Sequence, residues 1–278
     1  MVTIKRLAAC AIAAAFIGLP LALGASDGSA AAGDKPDFIM MNGAEPELDP
    51  SLITDAPSMN VGLGLFEGLV QYDPKTNLGV PAMAESWKAS ADGLVYTFKL
   101  RAAKWSDGRP VTAGDFVYAM ERILDPATGA DYAYMPCMAI KGAAEFYAGE
   151  GSFEDVGIRA IDDRTIEYTL TGPAPYFVDM TAHNAFWPLP RWAIEKFGDD
   201  WTKPGNIVTN GPFLLKEWMP QEYVYMVKNP RYWDAANVRL HGIRIEAGDN
   251  SLANYSMYKE GMADWMHGVP FSRIDEIA

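Results

Sequence analysis

The sequence predicts an α/β protein assembled from hairpins and amphipathic helices, and three observations carry that prediction. Between two Asp-Gly turns, Leu94, Tyr96, Phe98 and Leu100 alternate with Val95, Thr97, Lys99 and Arg101, the period of a half-buried strand entered from a hairpin. Directly afterwards Thr112 stands as an N-cap with Asp115 three residues on. Phe116, Met120 and Ile123 then recur at helical spacing until Asp125-Pro126 ends the run. Further along, Gly157–Ala160 with Thr165–Leu170, and Phe213–Trp218 with Glu222–Lys228, read as two more strand pairs. Roughly 250 residues of this kind are enough for two lobes of ordinary size.

In chain order, Lys5 and Arg6 precede an apolar run over Leu7–Leu23 and the small residues Gly24 and Ala25. The run is too short and too rich in alanine for a membrane span, so residues 1–25 read as a secretory signal peptide. Leu7-Ala8-Ala9-Cys10 has the letters of a lipoprotein processing site. A lipoprotein leader places its apolar run before the cysteine, however, and here the run follows it. Residues 26–33 are small and polar, a flexible mature N-terminus.

Phe38–Met41 is a short strand, and Pro46, Pro50 and Pro57 hold the next stretch extended or in turns. Ser58 is placed to cap a helix running to Val70, with Val61, Leu65 and Leu69 on one face. Gly62, Gly64 and Gly68 in that helix resemble a phosphate-cradling loop only superficially. No strong strand precedes them and no suitably placed lysine follows, so close packing is their expected role. Ala127–Met138 reads as a loop, Ile140–Tyr147 as a short helix, and Pro173 and Pro175 as the start of a helix through Thr181. Trp187-Pro188-Leu189-Pro190 is a stiff connection, and Trp192–Phe197 a helix stopped by Gly198. Val238–Ala247 is a strand interrupted at His241-Gly242. Asn250 or Ser251 then caps a helix ending near Gly261, and the last residues enter a new helix.

The formal charge is −13, and loss of the leader would leave 21 basic against 36 acidic residues, or −15. Such a surface argues against nucleic acid or anionic lipid as partner. Cys10 leaves with the leader, so Cys137 has no partner within the mature chain. His183, His241 and His267 fall in different elements, and no metalloprotease, nucleophile-elbow, paired-cysteine or Walker motif is present. Nothing in the sequence asks for a catalyst, a metal or a cofactor. The aromatic content is more telling: Tyr96, Phe98 and Tyr168 belong to cores, whereas Trp105, Tyr132 and Tyr134 stand in turn or loop segments, where clefts are built.

Six blocks are specific in wording: ESWKASADGLVYTFKLRAAKWSDGRPVTAGDFVYAMERILDP, LDP at Leu48–Pro50, LFEGLV at Leu65–Val70, AIDDRTIEYTL at Ala160–Leu170, AIEKFGDDWTKPGNIVTNGPFLLKEW at Ala193–Trp218 and NPRYWDAANV at Asn229–Val238. In order and spacing they resemble the bacterial extracellular solute-binding proteins of the oligopeptide type, over nearly all of the chain after the leader. The resemblance implies a two-lobed α/β fold of the periplasmic-binding-protein kind (type II, peptide-binding class), with an extra accessory domain. Residues 34–66 and 191–278 would form the first lobe, residues 67–190 the accessory domain, and the second lobe would lie beyond Ala278.

The resemblance also implies a function: a non-enzymatic periplasmic receptor, monomeric in full-length form, that holds an extended oligopeptide ligand and passes it to the permease of an ABC importer. Main-chain pairing would supply affinity whatever the peptide's sequence. By position, Thr54, Asp55 and Ala56 become the pairing strand, Tyr132 a ligand-facing tyrosine and His183 a pocket residue. Family members carry an acidic residue where Thr54 stands. The carboxylate here is one place on, at Asp55, which is expected to alter the choice among charged side chains. Dipeptides, murein peptides or another small solute are alternative ligands, and a secreted hydrolase or interaction module that reuses the fold is the alternative class.

Overall fold

The structure, a computed structural model, describes residues 36–276. The expected leader over 1–25 and the polar stretch 26–33 lie outside the described residues. The described elements run β1 (Phe38–Met41), α1 (Ala56–Leu65), β2 (Val70–Tyr72), β3 (Gly79–Pro81), β4 (Ala84–Ala89), β5 (Val95–Leu100) and α2 (Ala113–Leu124). They continue as α3 (Tyr134–Ala139), α4 (Ala143–Tyr147), β6 (Ile158–Asp162), β7 (Thr165–Thr169), α5 (Phe177–Met180) and α6 (Arg191–Phe197). Last come β8 (Phe213–Met219), β9 (Tyr223–Lys228), β10 (Gly242–Glu246), α7 (Ser251–Lys259) and β11 (Trp265–Met266).

The strands form two main sheets. One has the order β11-β1-β10-β9-β8, with β1 parallel to both of its neighbours and β8, β9 and β10 antiparallel. The other is antiparallel, β4-β5-β7-β6, and β2 pairs separately with β3. The period-two reading of β5 holds: Tyr96, Phe98 and Leu100 are buried. Phe98 packs edge-on against Tyr168 of β7, with ring centroids 5.9 Å apart. Phe116, Met120 and Ile123 of α2 are buried as one face, and the Asp115 carboxylate accepts from the Thr112 backbone N–H at 2.8 Å, completing the expected cap. A single buried cluster joins residues of both sheets, among them Phe98, Phe116, Trp187, Phe213 and Met226.

Several expectations are corrected. The first helix ends at Leu65, not Val70, and is capped by Asp55, not Ser58: the Asp55 carboxylate accepts from the Ser58 backbone N–H at 2.8 Å. Asn210 explains the early stop. Its side chain accepts from Glu67 N–H at 3.1 Å and donates to Glu67 C=O at 2.8 Å, capturing the backbone groups a longer helix would use. Close packing of the glycines holds, since a Cβ on Gly68 would stand 2.6 Å from the Trp187 ring and one on Gly62 3.2 Å from it.

The stretch read as a loop contains a 3-10 turn at Asp131–Ala133 and then α3, whose Pro136 lies in the first turn, where its missing N–H costs nothing. The helix placed at Ile140 begins only at Ala143, and the one placed at Pro173 only at Phe177. The strand placed over Val238–Ala247 is trimmed to β10. Trp105, expected beside a cleft, is fully buried, with its indole N–H donating to the Asp115 carboxylate at 3.0 Å.

Candidate functional site

The segment before α1 decides the site, and buried polar contacts fix its course. Asp49 accepts bidentately from Arg122 of α2, at 2.9 and 2.6 Å, and from the Trp201 indole at 3.0 Å. The same carboxylate caps the Ser51 N–H at 2.9 Å. A fork-to-fork pair of this kind fixes direction as well as distance. A few residues on, the Asn184 side chain donates to the carbonyls of Pro50, at 2.8 Å, and Ile53, at 3.1 Å. Both anchors are buried, so the chain emerges at Thr54 with its direction set from either side.

Thr54, Asp55 and Ala56 are then exposed, and Asp55 is extended (φ −126°, ψ 162°). Among the described residues, Thr54 N–H donates to no backbone carbonyl. The Tyr132 hydroxyl donates to the Thr54 carbonyl at 3.5 Å, a long contact that leaves the oxygen open to a better donor. The His183 ring meets Tyr132 nearly edge-on, with centroids 4.5 Å apart and planes at 73°. Its Nδ1 accepts from Ala185 N–H at 3.3 Å, and burial pushes the imidazole pKa down, favouring the neutral ring. Tyr134 extends the row, its ring 5.8 Å from that of Tyr132.

Three segments far apart in the chain therefore meet at one place: the exposed Thr54–Asp55, Tyr132 from the turn before α3, and His183 from the turn after α5; Ala56, expected in the pairing strand, is instead the first residue of α1. The place is an open wall and not a hole. A cavity of about 460 Å³ lies beside Asp49, Arg122 and Trp201, but none of the five predicted residues lines it. Asp55 differs from the other four. Its second carboxylate oxygen accepts from the Ser58 hydroxyl at 2.8 Å, so both oxygens already serve the helix start.

Sequence reasoning missed the anchors Asp49, Arg122 and Asn184, and a second cluster around Glu67. The buried Glu67 carboxylate accepts from Tyr232 Oη and from Trp233 Nε1, the latter at 2.6 Å, and Arg101 lies 3.4 Å over the Trp233 ring. Burial raises the Glu67 pKa above the usual carboxylate range. The signal for both clusters was in the blocks themselves. Asp49, Arg122 and Trp201 come from LDP, ERILDP and GDDW; Glu67, Asn210 and Tyr232-Trp233 come from LFEGLV, VTNG and RYWD. Among the described residues, no group of three His, Cys, Asp or Glu side chains is placed to hold a metal, and no helix is long and apolar enough to cross a membrane.

With this geometry in hand, comparison with known proteins is decisive. The family described as bacterial extracellular solute-binding proteins, family 5, middle region, matches residues 79–278. The chain belongs to this family. The periplasmic oligopeptide-binding protein of Salmonella typhimurium is 39% identical over 267 residues, which cover 95% of this chain and 49% of that protein. The oligopeptide-binding protein of Burkholderia pseudomallei superposes with a TM-score of 0.83 at 39% identity, over 88% of this chain and 48% of its own. That of Haemophilus influenzae, solved in complex with the peptide RPPGFSPFR, gives 0.83 at 36% identity, over 86% and 47%. The chain thus spans about half the length of the relatives it matches. Its mixed α/β fold is that of this family of solute-binding proteins.

Proposed function

We propose that this chain supplies one wall of the peptide site of an ABC importer's periplasmic receptor, and that it acts by binding and release without chemistry. The observation that carries the reading is the exposed, extended Thr54–Asp55 backbone, backed by Tyr132 and His183. An extended peptide laid along it gains main-chain hydrogen bonds whatever its sequence, and the rings behind it limit water access to those bonds. Residues 34–66 and 191–278 act as the lobe that carries the strand, and residues 67–190 as the accessory domain that carries Tyr132 and His183. The remaining partner is the importer's permease, with export directed by the leader over 1–25.

Amide NMR on the isotope-labelled chain, titrated with alanine-rich tetrapeptides to millimolar concentration, tests the reading. Shifts should concentrate at Thr54, Asp55, Ala56 and Tyr132, and Tyr132→Ala should weaken peptides of different composition by similar factors. Peptides that move none of these amides, or that move only the face around Glu67, would remove the site from this wall.

A further inference from the structure

From the aromatic row beside the strand, we infer that Tyr134 and Met138 form a side-chain subsite that selects a bulky apolar residue of the bound peptide. The inference rests on the peptide reading above and adds a preference to a backbone contact that has none.

The row starts at the Thr54 carbonyl, continues through Tyr132 with His183 behind it, and reaches Tyr134 at the first position of α3. Along this line the rings become progressively more open. His183 and Tyr132 are half-buried, and Tyr134 is 54% exposed. Met138, four residues on and therefore on the same helical face, is 66% exposed. Two large apolar side chains presented this openly on one short helix, in continuity with a ligand wall, have a defined occupant. Side chains of an extended peptide alternate in direction, so when its backbone lies along Thr54–Asp55, alternate side chains point to the tyrosine side. An aromatic or branched aliphatic group there would lie against the Tyr134 ring, edge-on or offset, with the pliant Met138 thioether adapting to its shape. A polar or charged side chain would gain nothing from these two residues.

The test uses tetrapeptides that are alanine at every position but one, with phenylalanine, leucine, serine or lysine walked through each position, titrated by amide NMR. One position should prefer phenylalanine or leucine over serine by about tenfold. Tyr134→Ala combined with Met138→Ala should abolish that preference while leaving the all-alanine peptide within about twofold. Tyr134→Phe should keep the preference, because the ring and not the hydroxyl makes the contact. Both residues are exposed, so the variants are expected to fold, and unchanged melting would verify it. A preference that survives in the double variant, or no apolar preference at any position of the native protein, overturns the subsite while the backbone site stands. Peptides that fail to shift Thr54–Ala56 at all overturn the peptide reading, and the subsite with it.

Discussion

The hairpin and helix over residues 84–124 and the bend over residues 47–58 are parts of one protein held by a different balance of contacts. The first is held by apolar surface arranged at the period of its own secondary structure: Tyr96, Phe98 and Leu100 on the strand, Phe116, Met120 and Ile123 on the helix. Each of those residues has its neighbours' spacing written next to it. The bend buries Leu48 and Ile53 as well, but at no regular period, and its course is set in addition by polar contacts to partners distant in sequence: Arg122 and Trp201 on Asp49, Asn184 on Pro50 and Ile53. A core fixes position by close packing over many weakly directional contacts, whereas a guanidinium fork on a carboxylate fixes direction as well as distance. The region proposed to present bare backbone to a ligand is the one also positioned by directional contacts.

That contrast predicts two different kinds of failure. Phe98→Ala should cost about 3–5 kcal/mol in urea unfolding, through lost burial and the cavity left among Trp87, Tyr168 and Phe177. A cost below about 1 kcal/mol would mean the core collapses around the gap, contrary to the packing described. Asp49→Asn should cost about 3 kcal/mol, because the largely buried Arg122 charge loses its counter-ion. The distinguishing sign is in the double variant. Asp49→Asn with Arg122→Met should recover part of the loss, as removal of both charges leaves neither stranded, whereas no second change should rescue Phe98→Ala in this way. A double variant whose cost equals the sum of the two single-variant costs would show that the pair is not coupled.

At the end of the bend, a smaller effect separates a structural from a selective role for Asp55. As the cap of α1, Asp55→Ala should cost about 1 kcal/mol, while Asp55→Asn should cost little, since asparagine caps equally well. The asparagine variant therefore removes the charge with the cap intact. If Asp55 also chooses among ligands, peptides with basic side chains should weaken selectively in Asp55→Asn. Equal losses for acidic and basic peptides would confine the residue to capping.

The same contrast explains what was legible in the sequence. β5, α2 and the β6–β7 hairpin were readable because alternation, capping and turn chemistry act over a few residues. The end of α1 was not, because it is decided by Asn210, more than a hundred residues away, capturing the Glu67 backbone. Trp105 looked like a cleft residue because a turn position says nothing about what folds over it; the Asp115 carboxylate within α2 takes its indole N–H. Apart from Tyr132, which also stood out as an aromatic in a loop segment, the site residues came from resemblance and not from local pattern, since no spacing links Thr54, Tyr132 and His183. The blocks that carried the resemblance turn out to be occupied chiefly with the Asp49 and Glu67 clusters, which hold the architecture in place, and only secondarily with the open wall.

The smallest expected effect concerns His183, the one member of that wall whose charge can change near neutrality. Its pKa is pushed below the ordinary 6.5 by burial, and its Nδ1 serves as an acceptor for Ala185 N–H, a role the protonated ring cannot fill. In the unfolded chain the imidazole takes up its proton at the ordinary value, so between the two pKa values the unfolded state binds more protons than the folded one. The contribution is therefore fully present above about pH 6.5 and is lost as the pH falls through the depressed folded value. His183→Asn keeps a side-chain oxygen to accept from Ala185 and removes the titration. Stability measured in urea across pH 5–8 should fall more steeply towards acid for the native protein than for this variant, with the two curves parallel above neutrality. Curves that remain parallel over the whole range would mean that His183 is as well solvated in the folded state as in the unfolded one. The edge-on contact with Tyr132 would then be too loose to form the back of a ligand wall.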